Sequence, residues 1–380
     1  MFKAVAGYYK DNERLRLLVK IIAVWLISRA VMLLMVPVMN LIADEPHQWL
    51  YYMNPWDAEW YKGIVENGYQ PPKSSGMASW AFFPLYPLVC MAVRLVTMGS
   101  IDTYAVGMTV SNICIIIAVY YAVKYADIEL DMKKYNKKTV EDIIIFLMLA
   151  GPFAVYYGAM YTEALFILCV ILCFYNSARH NYMAAGIAAA MASATRIVGC
   201  MLVFVLITYM FMETCAECRA KHNSEMKDNK EAGIIDKCML TEEAGILIAG
   251  NISLASVIRT FIKNVIKEPK KLVAIMISPL GIFIYMNYLR YFCGDSWAFY
   301  HVQRAWRTQK MFPVIGVLFK SCTGQLSASS GVKTLNGIIL GWLCVITLML
   351  YAAMIRKKHY ALGIFGIIVL LIPLTSSVMS

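Results

Sequence analysis

The chain has 380 residues, 60% of them hydrophobic and 16% charged, with a formal net charge of +11. A soluble globular domain is nearer half apolar and a quarter charged, so much of this surface must face lipid rather than water. The basic excess flanks hydrophobic runs, as a topology signal does, and does not point to nucleic acid.

In chain order, the first apolar run, 21–42, is too long for a signal-peptide core and has no small-residue cleavage site after it. It reads as a retained helix. Lys3, Lys10, Arg14, Arg16 and Lys20 precede it, which predicts a cytoplasmic N-terminus. The segment 43–80 holds Asp44, Glu45, Asp57, Glu59 and Glu66 against Lys62 and Lys73, a balance suited to the outer side. Pro84 and Pro87 interrupt the apolar stretch 81–98. Proline removes a helical hydrogen bond and clashes with the preceding turn, so this stretch is expected to be re-entrant or interfacial. Residues 103–124 cross and return to Lys133, Lys134, Lys137 and Lys138 inside. The spans 141–158 and 163–178 follow, then Arg179 and His180.

The apolar stretch 182–211 is longer than one span needs and carries Arg196 in its middle. Two short tilted helices meeting near Thr195–Arg196 on the outer side account for it. The mixed-charge segment 212–271 is expected to be a cytoplasmic loop, its apolar patch 244–258 being short for a crossing. Residues 272–292 exit into a second outer segment, 293–334, with Arg304, Arg307, Lys310, Lys320 and Lys333. An anionic substrate would explain such basic residues on that side. Residues 335–355 return to Arg356, Lys357, Lys358 and His359, and 360–378 exit again. The whole reads as an all-α polytopic membrane protein. It is a single transmembrane domain with about nine crossings, and its first outer loop spans 43–102.

Several residues invite chemistry. Asp57 lies in Asn54-Pro-Trp-Asp-Ala-Glu-Trp-Tyr61, between rings of the kind that anchor a segment at headgroup depth. It is either a general base within reach of a substrate hydroxyl or the N-cap of a helix beginning at Ala58. Glu59 is a second acid on another helical face, with a solvated loop role as its alternative. Glu163, in Tyr161-Thr-Glu163, either binds substrate or complements a helix dipole. Arg196, in Ala194-Thr-Arg196, is costly amid apolar residues unless it faces a partner or cavity. A phosphate suits its guanidinium; a structural pair with a carboxylate such as Glu163 is the alternative. In Gly294-Asp-Ser-Trp-Ala-Phe-Tyr-His-Val-Gln-Arg-Ala-Trp306, the side chains His301, Gln303 and Trp306 suit a sugar site or simply an interfacial helix.

The cysteines outline no disulfide framework. Cys114, Cys169, Cys173 and Cys344 sit in apolar spans, where free cysteine behaves as a small hydrophobe. Cys215-Ala-Glu-Cys218 is a lone pair, with His222 and Cys238 badly spaced for zinc, so no metal is expected. No phosphate-binding loop or dinucleotide fingerprint is present.

Four blocks in order resemble the GPI mannosyltransferase 2 (PIG-V) family, most closely its prokaryotic members. They are Trp56-Asp-Ala-Glu-Trp-Tyr61 with Gly68-Tyr69, Ala81-Phe-Phe-Pro-Leu-Tyr-Pro87, Tyr161-Thr-Glu163, and Ala194-Thr-Arg196 with Gly199. A fifth, Gly294-Asp with Phe299 and Gln303, is similar to the family's later outer segment. The resemblance implies a GT-C fold of many transmembrane helices with its active site on the outer or lumenal face. It implies a polyprenyl- or dolichyl-phosphate sugar donor, typically mannose, and inversion at the anomeric carbon. Asp57 is then the catalytic base, Trp56, Glu59, Tyr61, Glu163, Arg196, His301 and Gln303 bind substrate, and neither nucleotide nor metal cofactor is required.

Relatives continue past the Pro373-Leu-Thr-Ser-Ser region, so a missing C-terminal part is expected. A GT-C transferase using another lipid-linked sugar, a lipid-sugar flippase and a membrane scaffold are the competing readings. A flippase would favour repeated halves and midplane acids, which this chain lacks. A bacterial plasma membrane is the expected location, with the endoplasmic reticulum membrane as the alternative.

Overall fold

A backbone in hydrocarbon must satisfy its own hydrogen bonds, which leaves helices as the simplest spanning element. The computed structural model describes residues 12–42, 47–73, 76–231, 253–305, 314–325 and 331–374, and these are helical without a strand. Several residues weighed above lie outside the described residues. These are Lys3, Lys10, Asp44, Glu45, Cys238, Trp306, Arg307, Lys310, most of the 244–258 patch and the last six residues.

Among the described residues sixteen α-helices follow in order. They are α1 Glu13–Ile42, α2 Trp49–Met53, α3 Ala58–Asn67, α4 Leu85–Val96, α5 Thr103–Glu129, α6 Lys137–Leu149, α7 Glu163–Ala178 and α8 Tyr182–Ser193. After them come α9 Leu202–Glu231, α10 Leu254–Lys267, α11 Pro269–Ile277, α12 Leu280–Cys293, α13 Ala298–His301, α14 Val314–Cys322, α15 Gly331–Arg356 and α16 Tyr360–Leu374.

Four stretches among the described residues are long and apolar enough to cross a membrane: Glu13–Ile42, Thr103–Glu129, Ile197–Ser224 and Leu335–Arg356. The pair α11 and α12, bent by 43°, makes a fifth if it counts as one span. The protein is a polytopic membrane protein, with four to five of the anticipated crossings meeting that length. The remaining apolar segments form shorter helices. The stretch 81–98 forms only the twelve-residue α4, entered at Pro84. The expected span 141–158 stops at Leu149, because Gly151-Pro152 follows and the residue before a proline is pushed out of helical backbone. The break predicted near Thr195–Arg196 is present between α8 and a 3-10 turn at Ile197–Met201. The segment 212–271 carries helix in its described parts, through the end of α9 and through α10.

The chain divides into two compact units. The first comprises residues 1–178, 188–200 and 278–306. Its main helix pair is α5 against α7. On α5 the buried positions Val106, Gly107, Val110, Ser111, Cys114, Ile115, Ala118 and Val119 recur every three to four residues, the stripe of one helical face. Many are small, which lets helix backbones approach closely where lipid offers no hydrophobic drive. Tyr86 of α4 docks on this face, its hydroxyl 2.9 Å from both the Gly107 carbonyl and Ser111 Oγ. A further core gathers Phe83, Ile282, Tyr285, Leu289, Ala298 and Phe299.

The second unit comprises 179–187, 201–277 and 307–380. Here α9 packs against α10, α11 and α16, and α15 packs against α14 and α16.

Candidate active site

Trp56 and Asp57 sit in the turn that starts α3. Trp56 adopts a φ of +49°, a left-handed conformation uncommon for a bulky residue. The strain turns its ring outward, 74% exposed, where it stacks on Tyr156 at 6.4 Å and 29°. Asp57 occupies the N-cap position of α3, but its side chain makes no capping hydrogen bond and its backbone is helical (φ −68°, ψ −15°). A capping aspartate ordinarily has extended backbone and accepts an N–H from the next turn. What holds Asp57 is its backbone: its N–H donates to the Tyr161 hydroxyl at 3.1 Å, and that hydroxyl donates to the Pro55 carbonyl at 2.5 Å. The carboxylate is left exposed and unengaged among the described residues.

Tyr161 comes from the unwound stretch 150–162, whose backbone groups need partners that helix would otherwise supply. Ser28 donates to the Leu149 carbonyl (2.5 Å), Arg29 to Ala154 (3.0 Å) and Asn112 to Gly158 (3.2 Å), while Asn54 Oδ1 accepts from Met160 N–H (2.7 Å). Trp25 in turn orients Asn112 through its indole N–H at 2.7 Å. Side chains from α1, the 54–57 turn and α5 thus hold this stretch open and deliver Tyr156, Tyr161, Thr162 and Glu163 to one place.

Arg196 arrives from the break after α8. Thr195 Oγ1 donates to the Ala192 carbonyl at 2.7 Å, and the Gly199 N–H donates to the Arg196 carbonyl at 2.8 Å. Two glycines make room for this turn. A Cβ on Gly199 would lie 2.5 Å from the Ser193 nitrogen, and one on Gly281 would lie 2.5 Å from the Ala194 nitrogen. The Leu85 N–H donates to the Ala194 carbonyl at 3.0 Å, tying the start of α4 to the same turn. Arg196 Nη1 meets Glu163 Oε1 at 2.5 Å. The other carboxylate oxygen, Oε2, is buried without a hydrogen-bond partner. Arg196 keeps 44% of its side chain exposed, and among the described residues its one side-chain hydrogen bond is the one to Glu163.

Tyr61, one turn into α3, is buried, and its hydroxyl lies 3.3 Å from Thr162 Oγ1. The charges couple. Surrounding protein and then the Glu163 charge hold the Asp57 carboxyl above its ordinary value, while Arg196 pulls it down. Burial, followed by Glu163, pushes the Tyr61 hydroxyl up as well. The arrangement offers an available carboxylate, a cation with spare donors and an exposed aromatic platform.

The structure therefore brings Trp56, Asp57, Tyr61, Glu163 and Arg196 together. Glu59 is elsewhere, accepting a hydrogen bond from the Tyr104 hydroxyl of α5. His301 pairs with Asp295 (Nδ1 to Oδ2, 2.6 Å), which holds the Asp295 carboxyl below its ordinary value. Among the described residues neither His301 nor Gln303 hydrogen-bonds to Asp57, Glu163 or Arg196. Tyr156 and Arg29 did not stand out in the sequence. The run Tyr156-Tyr157-Gly158 was the available signal for the first; Arg29, inside an apolar span, was the signal for the second. Among the described residues no three His, Cys, Asp or Glu side chains gather in a way that would hold a metal ion.

A family model described as mannosyltransferase (PIG-V) matches residues 14–232, more than half of the chain. The match contains Asp57, Tyr61, Glu163 and Arg196 and stops short of His301 and Gln303. No curated protein and no solved structure matches the chain. With its membrane-spanning helices and a clustered carboxylate and guanidinium inside the matched region, the chain belongs to the mannosyltransferase (PIG-V) family of hexosyltransferases.

Proposed function

We propose that this mannosyltransferase moves a mannosyl residue from a polyprenyl- or dolichyl-phosphate donor to an acceptor hydroxyl on the outer or lumenal face, with inversion. The observation that carries the reading is the Asp57 carboxylate, placed at a helix start yet excluded from capping, beside the Glu163–Arg196 pair. Asp57 takes the proton from the acceptor hydroxyl as its oxygen bonds to the anomeric carbon. The bond from that carbon to the phosphate oxygen breaks, and the lipid phosphate leaves with the electron pair. A single displacement inverts the centre.

Arg196 meets the charge developing on the leaving phosphate, where a preorganised cation is worth most. Glu163 orients Arg196. Trp56 stacks on a sugar face, and Tyr61 sets the wall beneath it. Glu59 braces α3 against α5, while His301 and Gln303 contact the acceptor from the second outer segment. The reading asks for no nucleotide and no metal cofactor. A bacterial plasma membrane is the proposed location.

The test is transfer of labelled sugar by the purified chain in bilayers, from polyprenyl-phosphate mannose, polyprenyl-phosphate glucose and a nucleotide-linked mannose. Transfer from the first alone, lost in Asp57→Asn, is expected. Equal transfer by Asp57→Asn removes Asp57 from its role. Preference for the glucose donor selects another lipid-linked sugar, and preference for the nucleotide donor overturns the reading.

A further inference from the structure

Helix α10 has two unlike exposed stripes. Val257 and Val265 are buried and Phe261 packs edge-on against Phe211 of α9 at 5.6 Å, so one side of α10 is committed to the second unit. Beside that side run Leu254, Ile258, Ile262 and Ile266, spaced four apart and 47%, 43%, 51% and 65% exposed. Residues four apart share a helical face, so this is a continuous apolar stripe with no protein over it among the described residues. Arg259, Lys263 and Lys267 repeat at the same spacing on the next face around, all exposed and without an ion pair among the described residues.

The depth of α10 is set by its neighbour. Asn264 Nδ2 donates to Glu217 Oε2 of α9 at 2.9 Å. It thus meets α9 where that helix passes from the apolar run ending near Phe211 to Glu213, Glu217 and Arg219. That passage is where a span leaves hydrocarbon for headgroups. A helix at that level, with an apolar stripe on one flank and a basic stripe on the next, matches what the bilayer boundary presents.

We propose that α10 is an in-plane anchor that binds the anionic headgroups of the leaflet at the charged end of α9. The isoleucine stripe enters the acyl region, and Arg259, Lys263 and Lys267 contact lipid phosphates. Charge complementarity selects an anionic lipid surface as the occupant, each basic residue near such a surface adding affinity.

The experiment is hydrogen exchange across residues 254–267 of the full chain in nanodiscs of phosphatidylcholine, with and without phosphatidylglycerol, and in detergent. Protection is expected to rise from detergent to phosphatidylcholine, and again with phosphatidylglycerol. The Arg259→Gln/Lys263→Gln/Lys267→Gln variant is expected to keep the first rise and lose the second. Lys263→Gln alone should lower the phosphatidylglycerol preference about fivefold. The Ile258→Ser/Ile262→Ser/Ile266→Ser variant should lose both rises while α5 keeps its protection. Equal protection in the two lipid mixtures, or a triple-glutamine variant matching the parent, overturns the proposal. So does full protection in detergent, which would mean that another part of this chain or a second copy covers the stripe.

Discussion

Each compact unit holds a cluster of acid and base at a helix break, and the two are built differently. In the second unit Lys271, 5% exposed, lies 3.1 Å from Glu213 and 2.8 Å from Glu268, with its ammonium over the Tyr182 ring at 5.5 Å. The Tyr182 hydroxyl donates to Glu213 at 2.8 Å, and His180 approaches the same carboxylate at 3.3 Å. Every principal group there has a partner. In the first unit, among the described residues, Arg196 has one carboxylate oxygen, Glu163 keeps a buried oxygen with none, and Asp57 stands beside them unpaired. Saturated charge clamps helices together. On the proposed mechanism the unsaturated charge of the first cluster is held for a substrate, and a buried oxygen such as Glu163 Oε2 left without a partner is otherwise destabilising.

The contrast is sharpened by exchanging charge for neutral groups in each cluster. The largest effect is expected at Asp57→Asn, with turnover falling by about 10²-fold or more and thermal stability unchanged, because that carboxylate supports no structural bond. A large drop in melting temperature instead would return Asp57 to a structural role. Next is Lys271→Met, which takes the buried ammonium away from the largely buried Glu213, the exposed Glu268 being solvated without it. Breaking a buried pair by removing one partner costs about 3 kcal/mol, seen as a lower unfolding temperature in bilayers with turnover per folded molecule preserved. Lost turnover at full stability would break the comparison from that side.

Arg196→Gln is expected to lower kcat/KM for the donor roughly 10-fold or more, the size of one charge-assisted hydrogen bond. Lysine should restore only part of that, since it lacks the planar fork. The smallest effect is a pH shift. As the proposed base, Asp57 accepts a proton only when ionised, so turnover is expected to fall as pH drops through its raised pKa. Glu163→Gln removes a negative charge that raises that pKa and should move the acid limb of the rate profile to lower pH. Arg196→Gln removes the opposing charge and should move the limb to higher pH. Movement in the same direction for both variants would show that the limb reports another group.

Asp57, Glu163 and Arg196 were legible as candidates because each is a charge beside or inside apolar sequence, where it needs a reason. The break at Arg196 was legible too, since 182–211 exceeds one span and carries a charge at its centre. Glu59, two residues from Asp57 in sequence, was read on another helical face, and it points from α3 to Tyr104, because alternate positions on a helix diverge by more than a right angle. The early end of α6 was written in Gly151-Pro152, yet the apolar run continuing past it suggested a full crossing.

Composition and the spacing of charges around apolar runs decided by themselves that this is a helical membrane protein, since bilayer thickness and backbone desolvation leave few alternatives. They also picked out the residues whose charge is out of place. Which of those residues meet was a tertiary matter. The Glu163–Arg196 pair joins positions 33 apart in sequence, and the Asp57–Tyr161 bond joins positions 104 apart. These approaches depend on the carbonyl contacts of Ser28, Arg29 and Asn112 and on the room left by Gly199 and Gly281, and no local periodicity encodes such contacts between distant helices.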